Sequence, residues 1–219
     1  RVLFRSGTVM LVGTSLVFTL LYALPAGIIS ALNRNKWIDY LLRVASFVGV
    51  SMPSFWLGLV LIYIFGLKLG LVPIASSRVT PIGVILPAVT LAVVVGSKYM
   101  RQVRLVILEE MQKDYVIGAR ARGVSEMKIL FGHILPNAVL PLITILGVVI
   151  GWLLGGVAVI EMVFSWPGLG NMAVYAITMR DYPLIEGFVL WVALAYMCIN
   201  ALVDASYILL DPRLKRERA

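Results

Sequence analysis

Charge is what this sequence has least of. Charged residues make up 14% of the chain and apolar residues 61%, where soluble domains carry roughly 25% and 45–50%. That shortage argues against a water-soluble globular domain, because the apolar excess has to face lipid or the inside of a membrane bundle. Cysteine and histidine are nearly missing too, with one of each, Cys198 and His133. A lone cysteine builds neither a disulfide framework nor a metal site, and a lone histidine beside a membrane boundary reads as structural. There is no G-x-x-x-x-G-K-[ST] phosphate cradle, no Ser/His/Asp set and no pair of carboxylates in a plausible cleft. The expectation is a chain that needs no cofactor, hydrolyses no ATP alone and is not an enzyme. No run alternates strictly between polar and apolar residues, which argues against a transmembrane β-barrel. Internal inverted repeats, which mark many ion-driven transporters, are not found either.

What is there is a set of long apolar runs. Five stretches approach the roughly 20 residues needed to cross the hydrocarbon layer: 7–32, 44–67, 79–97, 138–160 and 184–210. The third is the least regular, with Pro81 and Pro87 at or near its start. This predicts an all-α integral membrane protein, a helical bundle of about five spans forming one domain over residues 1–219. Lys and Arg sort to alternate ends of these spans. Arg34, Lys36 and Arg43, the residues from Lys98 to Lys128, and Arg213, Lys215, Arg216 and Arg218 fall on one side. Only Arg1, Arg5, Lys68, Arg78 and Arg180 fall on the other. Basic loops stay cytoplasmic, so the C-terminus is expected inside and the N-terminus outside. The net charge of +8 then follows from topology and calls for no nucleic acid. An odd span count behind an outside N-terminus, in a chain opening on Arg1, leads to the expectation that an earlier span precedes it.

The most polar stretch, residues 98–136, joins the third and fourth spans. Met100, Val103, Ile107 and Met111 recur at helical spacing, and Val116 and Ala119 continue the stripe up to Gly123. Glycine there suits a turn of positive φ. Ser125, followed by Glu126 and Lys128, reads as the N-cap of a new helix. The prediction is a short helix, a glycine corner and a second short helix, suited to docking on a partner. Two further features stand out within the spans. Gly147, Gly151 and Gly155 form a doubled G-x-x-x-G, which lets helices approach closely, either within the subunit or against another. Glu161, Glu186 and Asp204 are acids in or near spans, which makes them candidates for a functional role, with Glu161 expected near water. Trp152, Trp166 and Trp191 read as interface anchors or packing.

"DYVIGARARGVS" followed by "HILPNAVLP" resembles the cytoplasmic loop of ABC importer permeases, whose signature runs E-A-A-x3-G-x9-I-x-L-P. Ala119, Gly123, Leu135 and Pro136 match it, while Ile117, Gly118 and His133 depart from it. These departures, with "GVSMPSFWLGLVL", "VIEMVFSWPGLG", "RDYPLI" and "DPRLKR", are similar to the dipeptide, oligopeptide and nickel importer branch. The resemblance covers essentially the whole chain.

It implies the type I importer permease fold and a membrane-embedded half of a translocation pathway in the cell membrane. The implied partners are a second permease subunit, two cytoplasmic ATP-binding subunits and an extracytoplasmic solute-binding protein. Residues 98–136 would be the coupling region. Asp114, Tyr115, Ala119, Arg120, Arg122, Gly123, Ser125 and Glu126 would form the ATPase-coupling loop, with Gly123 setting the corner. Tyr115, Ala119, Arg120 and Arg122 would touch the partner or the membrane edge. His133, Leu135, Pro136 and Asn137 would lead the chain back into the bilayer. Peptides are the expected substrates, nickel or a nickel chelate the alternative. An ion-driven transporter or a membrane scaffold is the alternative class.

Overall fold

The computed structural model describes residues 2–75 and 78–210. The basic C-terminal residues from Asp211 onward, and Arg1, lie outside them. The described chain is helical almost throughout. Helix α1 spans Val2–Leu32 and α2 spans Trp37–Ser51. Next comes α3, Ser54–Leu61, which runs into a π-helical stretch at Ile62–Lys68. Helix α4 is Ile85–Glu110, α5 is Asp114–Ala121 and α6 is Glu126–Ile129. A second π-helical stretch, Leu130–Ile134, leads into α7, Leu135–Val163. Helices α8, Leu169–Met179, and α9, Tyr182–Leu210, complete the bundle.

Two of the expected spans need correction. The run 44–67 is not one helix: α2 ends at Ser51, and α3 leaves it at 101°. Pro53 is the cause. It disfavours helical backbone in the residue before it, and Met52 is extended at φ −80°, ψ 126°. The run 79–97 is displaced. Its helix starts at Ile85, tolerates Pro87 in its first turn, where no backbone donor needs a partner, and continues through Ser97 to Glu110. Apolarity stops at Lys98 but helicity does not, because Met100, Val103 and Ile107 are buried and keep one face in the bundle. Among the described residues Ser6–Leu32, Glu126–Val163 and Tyr182–Ser206 are each long and apolar enough to cross a membrane, and the bent α2–α3 pair is either a broken fourth span or a re-entrant loop, so three or four spans stand where about five were expected. The first expected span starts one residue earlier than drawn, the fifth is shifted to Tyr182–Ser206, and the fourth is longer than expected.

Helix α4 is the axis of the molecule and packs on α1, α2, α3 and α7. Helix α1 runs parallel to it. The Tyr22 hydroxyl donates to the Val93 carbonyl at 3.1 Å, and Ser30 meets Arg104 three turns further on. Helix α7 runs antiparallel, with the Tyr99 hydroxyl donating to the Leu142 carbonyl at 3.3 Å. Helix α9 lies on the outside of α7. A Cβ on Gly147 would stand only 2.7 Å from the Val203 side chain, and Gly151 lies against the Tyr196 ring. These two glycines of the G-x-x-x-G therefore serve packing within the chain, whereas Gly155 faces open space. These directions put the 33–36 turn and the 111–134 region at one end. The other end holds the start of α1, residues 69–75 and 78–84, and α8.

Candidate functional site

The site is the projection between α4 and α7. Helix α4 closes at Glu110, whose carboxylate is turned inward and is nearly fully buried. Tyr115 donates its phenol to Oε2 of that carboxylate at 2.5 Å, and Lys113 pairs with Oε1 at 2.5 Å. Burial, with the Glu110 carboxylate beside it, pushes the Tyr115 phenol up to about 12, so at neutral pH it stays a donor. Glu110 thereby holds α5 against the end of α4. Helix α5 begins at Asp114, an acid in the first turn where the helix dipole favours it. Its inward residues, Val116 and Ala119, are completely buried. This corrects one expectation: Ala119 packs beneath α5 and cannot itself touch a partner.

The corner follows from Gly123, at φ +78°. Its N–H donates to the Arg120 carbonyl at 2.9 Å, and the Val124 N–H to the Ala119 carbonyl at 3.2 Å. That pair of bonds is a Schellman helix end, which places a residue without Cβ in the left-handed region. Across the corner, Arg120 grips Glu126 in a bidentate pair, Nε to Oε1 at 2.7 Å and Nη2 to Oε2 at 3.0 Å. Both groups are exposed, so the pair contributes only about 0–1 kcal/mol, but its fork geometry holds the angle between α5 and α6. Ser125 occupies the N-cap position of α6, at φ −65° and ψ 145°, without a side-chain capping bond. Glu126, one residue on, makes the bond that orders this helix start.

The return to the bundle is shaped by Pro136. Without an N–H it cannot satisfy the carbonyl one turn back, and its ring crowds that turn. The backbone widens to i→i+5 bonding over Leu130–Ile134, with the Leu135 N–H reaching the Leu130 carbonyl. Asn137 donates its amide to the His133 carbonyl at 2.7 Å. His133 itself is exposed. Arg122, Gly123 and Lys128 are exposed on the projection, and so are three apolar side chains, Ile117, Met127 and Phe131. Met127 and Phe131 were missing from the expected set. The signal for them was exposure at a polar loop, which periodicity does not report.

Two buried polar clusters lie outside the expected site. Just inward of the projection, Asp39 accepts from Arg104 Nε and Nη2 at 2.8 Å each, from Ser30 at 2.6 Å and from the Asn35 N–H at 3.0 Å. At the far end, Glu161 is fully buried, not near water as expected. It accepts from the Thr8 hydroxyl at 2.6 Å and from the Asn171 N–H at 2.9 Å at the start of α8. Trp166, fully buried beside it, donates to the Gly7 carbonyl at 2.9 Å. Glu186 and Asp204, by contrast, are exposed. Glu161→Gln turns an amide donor toward groups that are themselves donors. A loss of about 1–3 kcal/mol is expected, measured as a lower midpoint in thermal unfolding of the purified protein. An unchanged midpoint would mean that the cluster contributes nothing to stability.

The model for the binding-protein-dependent transport system inner membrane component family matches residues 23–216. The chain is 38% identical over 208 residues to the glutathione transport system permease protein GsiC of Escherichia coli strain K12, covering 95% of this chain and 68% of that protein. The Shigella dysenteriae protein of the same name matches to the same extent. In three dimensions the chain is similar to one from the inward-facing MetNI methionine ABC transporter. The TM-score is 0.77 at 20% identity, covering 94% of this chain and 93% of that one. A chain from an amino acid ABC transporter with histidines superposes with a TM-score of 0.65 at 16% identity, covering 93% and 92%.

Proposed function

The chain belongs to the family of binding-protein-dependent transport system inner membrane components, and from that premise we propose that it carries di- or oligopeptides across the membrane. It is an ABC importer permease subunit with the type I importer permease fold. The chain pairs with a second permease subunit to form the pathway, and two cytoplasmic ATP-binding subunits supply the energy. An extracytoplasmic binding protein delivers the ligand. The end bearing the α5–Gly123–α6 projection, with the C-terminus, faces the cytoplasm, in keeping with the basic residues gathered there.

The observation that carries the coupling role is the rigid corner itself. It is tied to α4 through Glu110 and Tyr115 and exposes Ile117, Met127 and Phe131 to whatever docks. A push on this corner is passed directly to α4, the helix on which the bundle is built. Rigid-body movement of packed helices is how such a push opens or closes a pathway. Similarity to glutathione permeases supports a peptide-like cargo, glutathione being a tripeptide.

The test is reconstitution. The full-length permease pair, its ATPases and its binding protein, in proteoliposomes, are expected to take up labelled glutathione or dialanine only when ATP is supplied. Uptake of nickel and of no peptide would overturn the substrate reading. Uptake driven by an ion gradient without ATP would overturn the ABC mechanism.

A further inference from the structure

We propose that Lys98, with Trp152 and Gln102, forms a site in the translocation path for the free carboxylate of a peptide cargo. The proposal rests on the peptide-permease reading above. Lys98 was expected at the cytoplasmic end of a span. It lies instead in the middle of α4, which runs from Ile85 to Glu110, about 20 Å along the helix from Ile85 at 1.5 Å per residue. There it is half-buried and lines a cavity between α4 and α7, and a charged side chain that faces a cavity in a membrane bundle is a candidate for the substrate pathway.

Among the described residues Lys98 has no carboxylate partner. Its ammonium is held 3.7 Å from the centre of the Trp152 ring. An indole face steadies a cation but leaves its hydrogen-bonding capacity largely unused, since an ammonium carries three donors and no acceptor. Trp152 is itself 60% exposed on α7, so the described residues leave it free to move off Lys98. The pair encloses a cavity of about 180 Å³ between α4 and α7, with Gln102 and Tyr99 on one wall and Ile145 on the other. That is room for a carboxylate and the first atoms attached to it. Through Val148 and Trp152 the cavity adjoins a groove of about 560 Å³ along α7 and α9. Its floor is Gly155 and Gly156, both with open space where a side chain would stand. Gly147 and Gly151 are occupied by α9, whereas the next glycines of the same helix are not. A peptide main chain fits over them with its carboxylate on Lys98.

The chemistry is an exchange of partners. A carboxylate forms a charge-assisted bond with the ammonium, and the Gln102 amide donates to its second oxygen. The Trp152 ring then leaves the cation and lies against the apolar part of the cargo. Specificity follows, because an uncharged terminal amide offers Lys98 a weaker acceptor and leaves its charge unmatched.

The assembled permease–ATPase complex in nanodiscs, with no binding protein present, is titrated with dialanine and with dialanine amide. Trp152 emission is taken as the difference between the native complex and Trp152→Phe. Dialanine is expected to give a saturable change, with the amide at least tenfold weaker. Lys98→Gln should weaken the dialanine midpoint at least tenfold, and Lys98→Arg should restore most of it. Equal midpoints for acid and amide, an unchanged midpoint in Lys98→Gln, or no change with dialanine each overturn the site. The acid–amide comparison requires no substitution of Lys98, so it decides even where a Lys98 variant does not assemble. ATP-driven peptide uptake by the native system separates the two levels. Uptake that proceeds equally in Lys98→Gln removes the site and leaves the permease reading standing. Absence of any peptide uptake by the native system removes the cargo reading and the site with it.

Discussion

Asp39→Ala is expected to lower stability by about 3–5 kcal/mol, because it breaks a buried ion pair by removing one partner. Asp39 is completely buried, and the Arg104 side chain is only 13% exposed. Removing the carboxylate leaves a guanidinium that stays ionised at any pH the protein meets, with no anion facing it. It also frees the Ser30 hydroxyl and the Asn35 N–H, both of which lose an acceptor. The effect reaches three helices, because Ser30 ends α1, Asp39 begins α2 and Arg104 belongs to α4. At roughly 2–4 °C per kcal/mol for a chain of this size, the thermal midpoint of the purified protein should fall by about 6–20 °C. The double variant Asp39→Ala, Arg104→Met distinguishes charge from packing. It should recover most of the loss, since exchanging a buried pair for apolar groups of similar volume is often neutral. A double variant as unstable as the single one would mean that shape, not charge balance, is what this cluster supplies.

Helix and corner were legible in the sequence, while the buried pairs were not, and the reason is range. A stripe such as Met100, Val103 and Ile107 announces itself within two turns, and Gly123 announces a corner by its single missing side chain. Asp39 and Arg104 are 65 residues apart, and Thr8 and Glu161 are 153 apart. No local period links residues at such distances, so Glu161 read as a water-facing acid and Arg104 as one basic residue among several. The bend at Pro53 was written in the pair Met52–Pro53, but the apolar run continues on both sides and hid it. Lys98 misled in the opposite direction. Hydropathy ended a span there, whereas the buried stripe on the same helix carried the backbone on for three further turns. Apart from the bend at Pro53, each miss arose where tertiary contact, not local composition, decides the outcome.

Gly123→Pro is expected to abolish retention of the ATPase by the permease while leaving the bundle folded. The residue holds φ +78°, and proline is confined near −65°, so the left-handed corner cannot form. Proline also lacks the N–H that Gly123 donates to the Arg120 carbonyl, so the Schellman end of α5 is lost with it. Arg120 and Glu126 then no longer face each other, and α6 with its exposed Met127 turns away from α5 with its exposed Ile117. The damage is confined to the projection because Val116 and Ile129, which anchor it, lie outside the corner and remain buried. Co-purification should fall at least tenfold, and ATP-driven uptake with it, while the thermal midpoint of the isolated permease moves little. Gly123→Asn provides the graded control. Asparagine tolerates the left-handed region better than other residues with a side chain, so it should retain most of the complex, and Gly123→Val should retain little. A proline variant that still binds the ATPase and transports would separate the corner from coupling. The driving subunit would then have to grip α4 by another surface.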